Sequence, residues 1–449
     1  MKVKKFPFGI IILSLFLSCA QQSEKKHTLV SVVNHPLWSQ NKTIYQVNLR
    51  QFSTAGDFNS LGERLPELKK LGVGIIWLLP VYPIGGNNSG DTTKNFYAVK
   101  DFKAISPDLG NEDDFRDLIK AIHQQGMYII MEWVSNQTAT DNVLTASHPE
   151  YFRKDENGKF ISPAGKNDLI GFDYNNPALR NYMLEAMQYW VNEFDIDGFN
   201  CTAAEKIPVD FWDQVRRKLE LIKPVFMSAD GEAAYLHNRA FDMTCSWQLY
   251  YALNNVAQGR EKVTKIEEIL RQEQRLYPPS AYRMRFTETY NENPEAGTAI
   301  ERLGDAAKTA AVLTATIPGK PMIYNGQEAG LEKMSAPFKE DSIQWKESVF
   351  RNFYSKLFSL YRDNPALYQG KMVKISPDDE AAVYAFARVK ENYKVVVVLN
   401  FSANQRTIEL ESDELPGKYT ELFSNVPLTF EEDRLFDLEP WAYRVFVAE

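Results

Sequence analysis

The sequence predicts an α/β fold, a parallel (β/α)8 TIM barrel followed by a smaller C-terminal β module. Between about residues 42 and 360, short apolar, β-rich runs alternate with helical patterns, as is typical of βαβ units. Eight such runs can be counted, which is the number that closes a barrel. The chain of 449 residues is long enough for a barrel and one further domain.

The eight predicted strands are apolar or β-branched and are flanked by turn residues. They are Ile44–Asn48, Ile75–Leu79, Tyr128–Val134, Gly198–Cys201, Val225–Ala229, Phe241–Met243, Arg283–Thr287 and Met322–Tyr324. Helical patterns separate them, for example Asn111–Gln124, whose acidic first turn suits a helix N-terminus, and the amphipathic Pro177–Phe194.

Two further regions depart from the barrel pattern. Residues 137–174 are too long for an ordinary βα loop, so we expect a short inserted subdomain over the barrel mouth after strand 3. Past about Tyr368 the helical patterns stop and β-type runs follow, at Ala382–Phe386, Lys394–Phe401, Thr407–Leu410 and Tyr443–Val447. We therefore expect the barrel over 42–366 and an antiparallel β-sandwich over 367–449.

The N-terminus has the pattern of a targeting segment. Three lysines in the first five residues precede the apolar run Ile10–Leu17, which is too short to span a bilayer. The run ends at Leu17-Ser18-Cys19, which resembles a bacterial lipoprotein signal; an ordinary signal peptide with an incidental cysteine is the alternative. We expect residues 1–19 to be the signal, Cys19 the lipidated residue and 20–41 a tether. This predicts a lipid-anchored protein of the cell envelope, most simply a Gram-negative outer membrane, facing either the periplasm or the exterior.

Composition excludes several classes of function. The formal net charge of −8 argues against nucleic acid as a partner. Three cysteines give neither a disulfide framework nor a CxxC metal motif. The sequence also lacks a glycine-rich phosphate loop and an HExxH zinc motif.

Several motifs occur in the order in which one known family has them. They are Ile44-Tyr45-Gln46-Val47-Asn48, Phe96-Tyr97-Ala98-Val99-Lys100-Asp101, Ile196-Asp197-Gly198-Phe199, Phe241-Asp242-Met243-Thr244, Pro318-Gly319-Lys320-Pro321 and Gly326-Gln327-Glu328. With them the chain resembles glycoside hydrolase family 13, in the neopullulanase/α-amylase group. The resemblance implies a (β/α)8 barrel and an α-glucan substrate such as starch or a maltooligosaccharide. It also implies retaining hydrolysis by a nucleophilic carboxylate, an acid and a stabilising carboxylate.

At the end of strand 4 the family reads Gly-Phe-Arg-x-Asp, and this chain reads Gly198-Phe199-Asn200-Cys201-Thr202. Thr202 therefore stands at the nucleophile position and Asn200 replaces the arginine that orients the nucleophile. A threonine hydroxyl is uncharged at neutral pH and needs a neighbouring base before it can attack.

The other catalytic positions have also changed. The acid, a glutamate in the family, is Asp230, one methylene shorter. The family motif Phe-Thr-x-Asn-His-Asp ends here in Tyr290-Asn291, so Asn291 replaces the stabilising aspartate and Tyr290 the substrate-binding histidine. At the end of strand 3, Asp-x-Val-x-Asn-His has become the stretch from Glu132 to Gln137. We therefore expect ordinary family 13 hydrolysis to be lost.

Sugar binding is a property that the changed site could keep. Tyr97 matches the aromatic residue that the family stacks on the sugar, and Trp133 could add a second apolar face, since sugars pack on aromatic rings. Asn200, Tyr290 and Gln137 complete the expected substrate-binding set; barrel packing is the alternative for the aromatic residues, including Trp247, Tyr82 and Phe96. No cofactor is expected. Calcium is left open, because Asn136 matches a position that ligates it in some relatives.

Three functions remain open on the sequence. The favoured one is a catalytically degenerate pseudo-glycosidase that binds α-glucan oligosaccharides as an envelope lipoprotein, alongside other glucan-utilisation proteins. The second is a weak or rewired hydrolase that uses Asp230 with Glu132, Glu232 or Glu288. The third is a structural ectodomain that escorts another envelope protein, similar to the heavy subunit of amino-acid transporters. Fold analogy cannot choose among them, because function resides in the site.

Overall fold

We analysed a computed structural model of the chain, which describes residues 31–86, 95–163, 168–332, 342–430 and 433–449. Cys19 and the predicted signal lie outside the described residues. The strands are β1 Ile44–Val47, β2 Ile75–Leu78, β3 Tyr128–Trp133, β4 Gln137–Ala139, β5 Leu169–Gly171, β6 Gly198–Cys201, β7 Phe226–Ala229, β8 Met243–Cys245, β9 Tyr282–Arg285, β10 Lys320–Tyr324, β11 Lys371–Pro377, β12 Val383–Lys390, β13 Tyr393–Asn400, β14 Arg406–Glu411, β15 Gly417–Glu421, β16 Pro427–Phe430, β17 Asp433–Leu438 and β18 Tyr443–Ala448.

The helices surround the barrel strands. They are α1 Leu49–Phe52, α2 Phe58–Leu71, α3 Glu112–Gln124, α4 Leu144–Ser147, α5 Pro177–Phe194, α6 Val209–Glu220, α7 Trp247–Ala257, α8 Thr264–Leu276, α9 Asn293–Ala296, α10 Ala299–Leu303, α11 Ala307–Thr316, α12 Val349–Asp363 and α13 Pro365–Tyr368. No helix in the described part of the chain combines the length and the apolar character needed to cross a membrane.

Eight parallel strands close the predicted barrel, in the order β1-β2-β3-β6-β7-β8-β9-β10 and back to β1. Ile44 of β1 pairs with both Ile75 of β2 and Met322 of β10, which shows the closure. The fold-class prediction is confirmed. One strand is displaced: the run Phe241–Met243 was expected to be extended, but β8 begins at Met243, because Phe241 packs edge-on against Trp212 in the helix layer.

Alternation along the strands decides which side chains face the barrel axis. On β3, Ile130 belongs to the cluster inside the barrel, while Met131 and Trp133 belong to the cluster between barrel and helices. On β2, Trp77 shares the interior cluster with Ile75. Glu132 therefore points inward, toward the barrel mouth.

The floor of the barrel is covered by the chain that precedes β1. Trp38 stacks on Tyr128 at the start of β3, with ring centroids 3.9 Å apart and planes 10° apart. The Arg216 guanidinium donates to the carbonyl oxygen of Asn34 (2.9 Å). Residues 31–42, called the floor segment below, are thus fixed to the barrel by ring stacking and hydrogen bonds.

Two buried charged groups at the floor, Asp242 and Lys320, have partners. Asp242 contacts the Arg216 guanidinium (2.5 Å) and the His35 ring (2.7 Å). The buried ammonium of Lys320 donates to the carbonyl oxygens of Ser39 and Gln40 and lies 4.2 Å from the centroid of the Tyr282 ring. Burial lowers the pKa of Lys320 to about 7.

Two smaller units complete the molecule. Within 137–174, β4 pairs antiparallel with β5, and Ala139 donates its backbone N–H to Val99, joining this region to the loop after β2. At the C-terminus, eight antiparallel strands curl around their own apolar core. There β11 pairs with β12 through Lys371–Ile375 and with β14 through Ser376 and Pro377, so one strand joins the two parts of the sheet.

Candidate functional site

The carboxyl ends of the barrel strands, where barrel enzymes place their chemistry, enclose a very small cavity. Its volume is about 10 Å³, roughly the space for one water and far below the roughly 300–1,000 Å³ of ordinary ligand sites. The residues that line it are Trp77, Glu132, Asn200, Asp230, Cys245, Trp247, Met284, Thr289, Tyr290 and Asn291. It brings together four of the predicted site residues, namely Asn200, Asp230, Tyr290 and Asn291.

Glu132 is held by three hydrogen-bond donors. Its Oε2 accepts from the indole N–H of Trp77 (2.6 Å) and from the side-chain amide of Asn200 (3.0 Å). Its Oε1 is 3.2 Å from the Tyr97 hydroxyl. Burial, followed by the nearby negative charge of Asp230, raises the pKa of Glu132 to about 8. This carboxyl group is therefore mainly protonated at neutral pH.

Tyr97 and Tyr290 close the mouth above Glu132. Their rings stack with centroids 5.5 Å apart and planes 19° apart, and their hydroxyls are hydrogen-bonded to each other. Phe96 packs against both rings, and the backbone N–H of Tyr290 donates to the Gln46 side chain (3.2 Å). The aromatic side chain expected beneath a sugar is thus covered by another aromatic side chain.

Asp230 lies at the end of β7 with weak donors around it. The Cys245 thiol is 3.8 Å from its Oδ1, and the Trp247 indole N–H is hydrogen-bonded to it. Burial raises the pKa of Asp230. The buried Glu132 and the partly buried Asp230 therefore line one cavity without a cation among the residues that line it.

Thr202, which the sequence predicts to stand at the nucleophile position, is not among the residues that line the cavity. Its hydroxyl donates to the carbonyl oxygen of Trp133 (3.3 Å) and accepts from the backbone N–H of Ser135 (3.1 Å). A hydroxyl nucleophile must give its proton to a base. The Thr202 hydroxyl is hydrogen-bonded to a backbone carbonyl oxygen, which cannot act as that base. Thr202 joins β6 to the end of β3 and does not line the cavity.

Two predicted substrate-binding residues need correction. Trp133 is fully buried and packs against Tyr82, Phe102 and Phe199 outside the barrel wall, because it follows the inward-facing Glu132 on the same strand. Gln137 begins β4 and pairs with Gly171 in the inserted region, away from the cavity lining. Neither side chain is placed to contact a sugar in the cavity.

The other acids that the sequence offered are engaged elsewhere. Glu232 bonds to the Arg283 guanidinium (2.9 Å). Glu288 accepts from the side-chain amide of Asn293 (2.7 Å) and the backbone N–H of Ala299 (2.7 Å). Within the described ranges, no group of three or more histidine, cysteine, aspartate or glutamate side chains could hold a metal ion.

Four residues of the cavity lining were not predicted, namely Trp77, Cys245, Met284 and Thr289. Trp77 could have been found from alternation, since it lies two residues after Ile75 on a strand whose odd positions face inward. Cys245 could not have been found in this way, because the predicted strand ended at Met243, two residues before the observed end of β8.

Comparison with known proteins gives the family. A family model described as the α-amylase catalytic domain matches residues 38–166 and 152–365, and one described as the maltogenic amylase C-terminal domain matches 373–445. The chain is 27% identical over 412 residues to "Alpha-amylase MalA" of Haloarcula japonica, covering 86% of this chain and 59% of that protein. It is 24% identical to the "Maltogenic alpha-amylase" of Bacillus acidopullulyticus, 70% of which it covers.

Solved structures agree with this assignment. The maltogenic α-amylase AmyB of Thermotoga neapolitana superimposes with a TM-score of 0.85 at 27% identity, over 92% of this chain and 99% of that one. An α-amylase of Geobacillus thermoleovorans, solved with acarbose, has the same fold with a TM-score of 0.77 at 18% identity, over 91% and 98% of the two chains. Since the catalytic-domain model spans most of its length, this chain belongs to the α-amylase family, glycoside hydrolase family 13.

Proposed function

We propose that this protein is a member of the α-glucan-acting family that binds α-glucans without hydrolysing them. The observation that carries the proposal is the state of the nucleophile position. The Thr202 hydroxyl is hydrogen-bonded to the backbone of β3, and Asn200, where the family has arginine, donates to Glu132. Nothing at the end of β6 can attack an anomeric carbon and form the glycosyl-enzyme ester that retention requires.

A rewired hydrolase is the second candidate, and one observation favours it. Glu132 and Asp230 line the same cavity, and burial raises the pKa of both; the pKa of Glu132, about 8, keeps a proton available near neutral pH. Glycoside hydrolysis needs two carboxyl groups on either side of the scissile bond. A substrate would have to displace the Tyr97–Tyr290 stack to reach them, which is why we rank this candidate second.

A paired measurement tests the proposal. We expect isothermal titration with maltoheptaose to show binding, and long incubation with maltoheptaose, starch or pullulan to give no multiple-turnover cleavage. The Asp230→Asn variant is the matched control, because it removes the charge and keeps the shape. Cleavage by the wild type that disappears in Asp230→Asn would establish the rewired enzyme instead, and absence of any glucan binding would favour the structural ectodomain.

The cellular location is a proposal that rests on the sequence around Cys19. A lipid on Cys19 would anchor the protein to an envelope membrane through residues 20–30, ahead of the floor segment. We expect the wild type to partition with membranes and Cys19→Ala to be released. Mass spectrometry that finds an unmodified mature N-terminus at another position would refute the anchor.

A further inference from the structure

A groove lies at the junction of the barrel and the C-terminal module. It is formed by the loop between α7 and α8 on the barrel side and by the loops before β12, β14 and β18 on the other side. Its volume is about 520 Å³, within the range of small-molecule sites. The backbone N–H of Val263 donates to the carbonyl oxygen of Ala381 (3.4 Å) across its base, so both walls are tied together.

Trp441 lines this groove in an unusual backbone conformation. Its φ is +56°, in the left-handed region that side chains of this size rarely adopt. The turn is closed by a hydrogen bond from Ala442 N–H to the Glu439 carbonyl (3.0 Å), with Pro440 second and Trp441 third. A turn with proline second and a left-handed third residue is the type II pattern, which favours glycine or asparagine at the third place.

The turn is held in place by main-chain bonds that do not depend on the indole ring. Trp441 donates its N–H to the Ser402 carbonyl (3.0 Å), and its own carbonyl accepts from the hydroxyl of Thr309 on α11. A large aromatic residue thus occupies a position where glycine would fit with less strain. Strain of this kind accumulates at functional positions and is retained where the side chain has a use.

Polar groups suited to hydroxyl recognition flank the ring. Asp379 and Arg406 form an ion pair (3.4 Å) in which each side chain is about one-third exposed. The Arg406 Nε also donates to the Ser402 hydroxyl (3.2 Å). Lys262 and Glu261 line the barrel side. An aromatic face beside balanced charged donors and acceptors fits a neutral, hydroxyl-rich ligand better than an ion or a lipid.

Two other hollows of the molecule suit a sugar less well. The cavity at the barrel mouth, about 10 Å³, is too small for a sugar ring and is closed by Tyr97 and Tyr290. A groove of about 800 Å³ between α2 and α12 is larger, but none of the described residues that line it is aromatic. The junction groove combines the required size with a ring that a sugar could stack on.

We propose that the junction groove is a binding site for α-glucan oligosaccharides, with Trp441 as the stacking platform and Asp379 and Arg406 as hydroxyl-binding groups. This inference rests on the proposed glucan-binding function and moves its location from the barrel mouth to the C-terminal module.

The test uses Trp441→Gly in the full chain. Glycine accepts the left-handed turn and removes the indole together with its contacts to the apolar core. Circular dichroism and an unfolding curve check that the variant is folded before titration. Titration with maltoheptaose should show affinity at least about tenfold weaker than that of the wild type, equal to a loss of about 1.4 kcal/mol. Asp379→Ala should also weaken binding while leaving the turn unchanged.

The matched control is Tyr393→Ala, which removes an exposed aromatic side chain from β13. We expect it to leave maltoheptaose affinity within about twofold of wild type, and Trp247→Ala tests the barrel mouth as the alternative location. If Trp247→Ala abolishes binding and Trp441→Gly does not, the site is at the mouth and this inference fails, although the proposed function survives. If the wild type does not bind maltoheptaose, the inference and the proposed function both fail.

Discussion

The pKa of a buried carboxyl group is lowered at the floor of the barrel and raised at the mouth. At the floor, Asp242 is fully buried, yet the Arg216 guanidinium and the His35 ring more than offset that burial and lower its pKa. At the mouth, Glu132 is just as buried but has three neutral donors and a second acid nearby, and its pKa rises to about 8. The same barrel therefore keeps one carboxylate ionised and one carboxyl group protonated.

The difference bears on the prediction that Asn200 stands where the family has an arginine. Position 200 is where a cation would stand beside Glu132, and Asn200 supplies a hydrogen bond without a charge. A buried acid without a cation is stabilised in its neutral form. A protonated group at the centre of the mouth and a hydrogen-bonded Thr202 both support the proposal that this site does not hydrolyse α-glucans.

The largest expected effect concerns the floor. Arg216→Met leaves the buried Asp242 without its guanidinium partner, next to His35 and the backbone N–H of Met227. Breaking a buried ion pair in this way costs about 3–5 kcal/mol of unfolding free energy. Since the pKa of Asp242 is lowered in the folded state, its contribution is present above its unfolded pKa and is lost as pH falls through the folded value. Chemical denaturation at neutral and acidic pH would measure both effects.

The control for this change is Arg351→Met. Arg351 pairs with Glu67 at 2.6 Å, but both side chains are one-third or more exposed, and such surface pairs contribute about 0–1 kcal/mol. Equal losses of unfolding free energy in the two variants would show that the Arg216–Asp242 pair stabilises the fold no more than a surface ion pair does.

The next effect concerns the mouth and has the opposite pH dependence. Between its unfolded pKa and about 8, Glu132 holds a proton in the folded state that the unfolded chain releases, so its contribution to stability falls as pH rises. Glu132→Gln mimics the protonated group. We expect the variant to match the wild type near pH 5 and to be more stable at pH 9 by a few kcal/mol, since each pKa unit corresponds to about 1.4 kcal/mol.

Unfolding curves for the two proteins across this pH range measure that difference. Parallel pH dependences would mean that the folded protein keeps Glu132 ionised, and the contrast between the floor and the mouth would disappear.

The smallest expected signal is restored catalysis. The sequence suggests five reversions, Asn200→Arg, Thr202→Asp, Asp230→Glu, Tyr290→His and Asn291→Asp, and the hydrogen bond between Asn200 and Glu132 adds Glu132→Asp, which makes room for the arginine. Catalytic groups act as a unit, so single reversions should recover almost nothing. We expect weak cleavage of maltoheptaose with retained configuration from the six-fold variant.

Its control is the five-fold variant that keeps Glu132, in which the longer acid and the new arginine compete for the same space. If the variant with six substitutions folds and is no more active than the variant with five, the space around position 200 is not what limits the restored activity. Reducing-sugar release over long incubation is the measurement.

The sequence predicted what depends on local pattern. The alternation of strands and helices was enough for the barrel, and motif order located Asn200 and Asp230 at the mouth. Trp133 was expected at the sugar site, but side chains alternate between the two faces of β3, and Trp133 follows the inward-facing Glu132 and therefore points outward. The Tyr97–Tyr290 stack could not be predicted, since it joins loops that are nearly two hundred residues apart and depends on their packing.

If Cys19 carries a lipid, as proposed above, the floor segment has a mechanical consequence. Tension on the anchor would first load the hydrogen bond from the Ser31 hydroxyl to the His237 carbonyl oxygen. It would next load the hydrogen bond from Arg216 to the Asn34 carbonyl oxygen, and then the Trp38–Tyr128 stack. These contacts would break one after another, starting from the N-terminal side. The floor would then bear the pull first, since the mouth lies at the opposite ends of the strands.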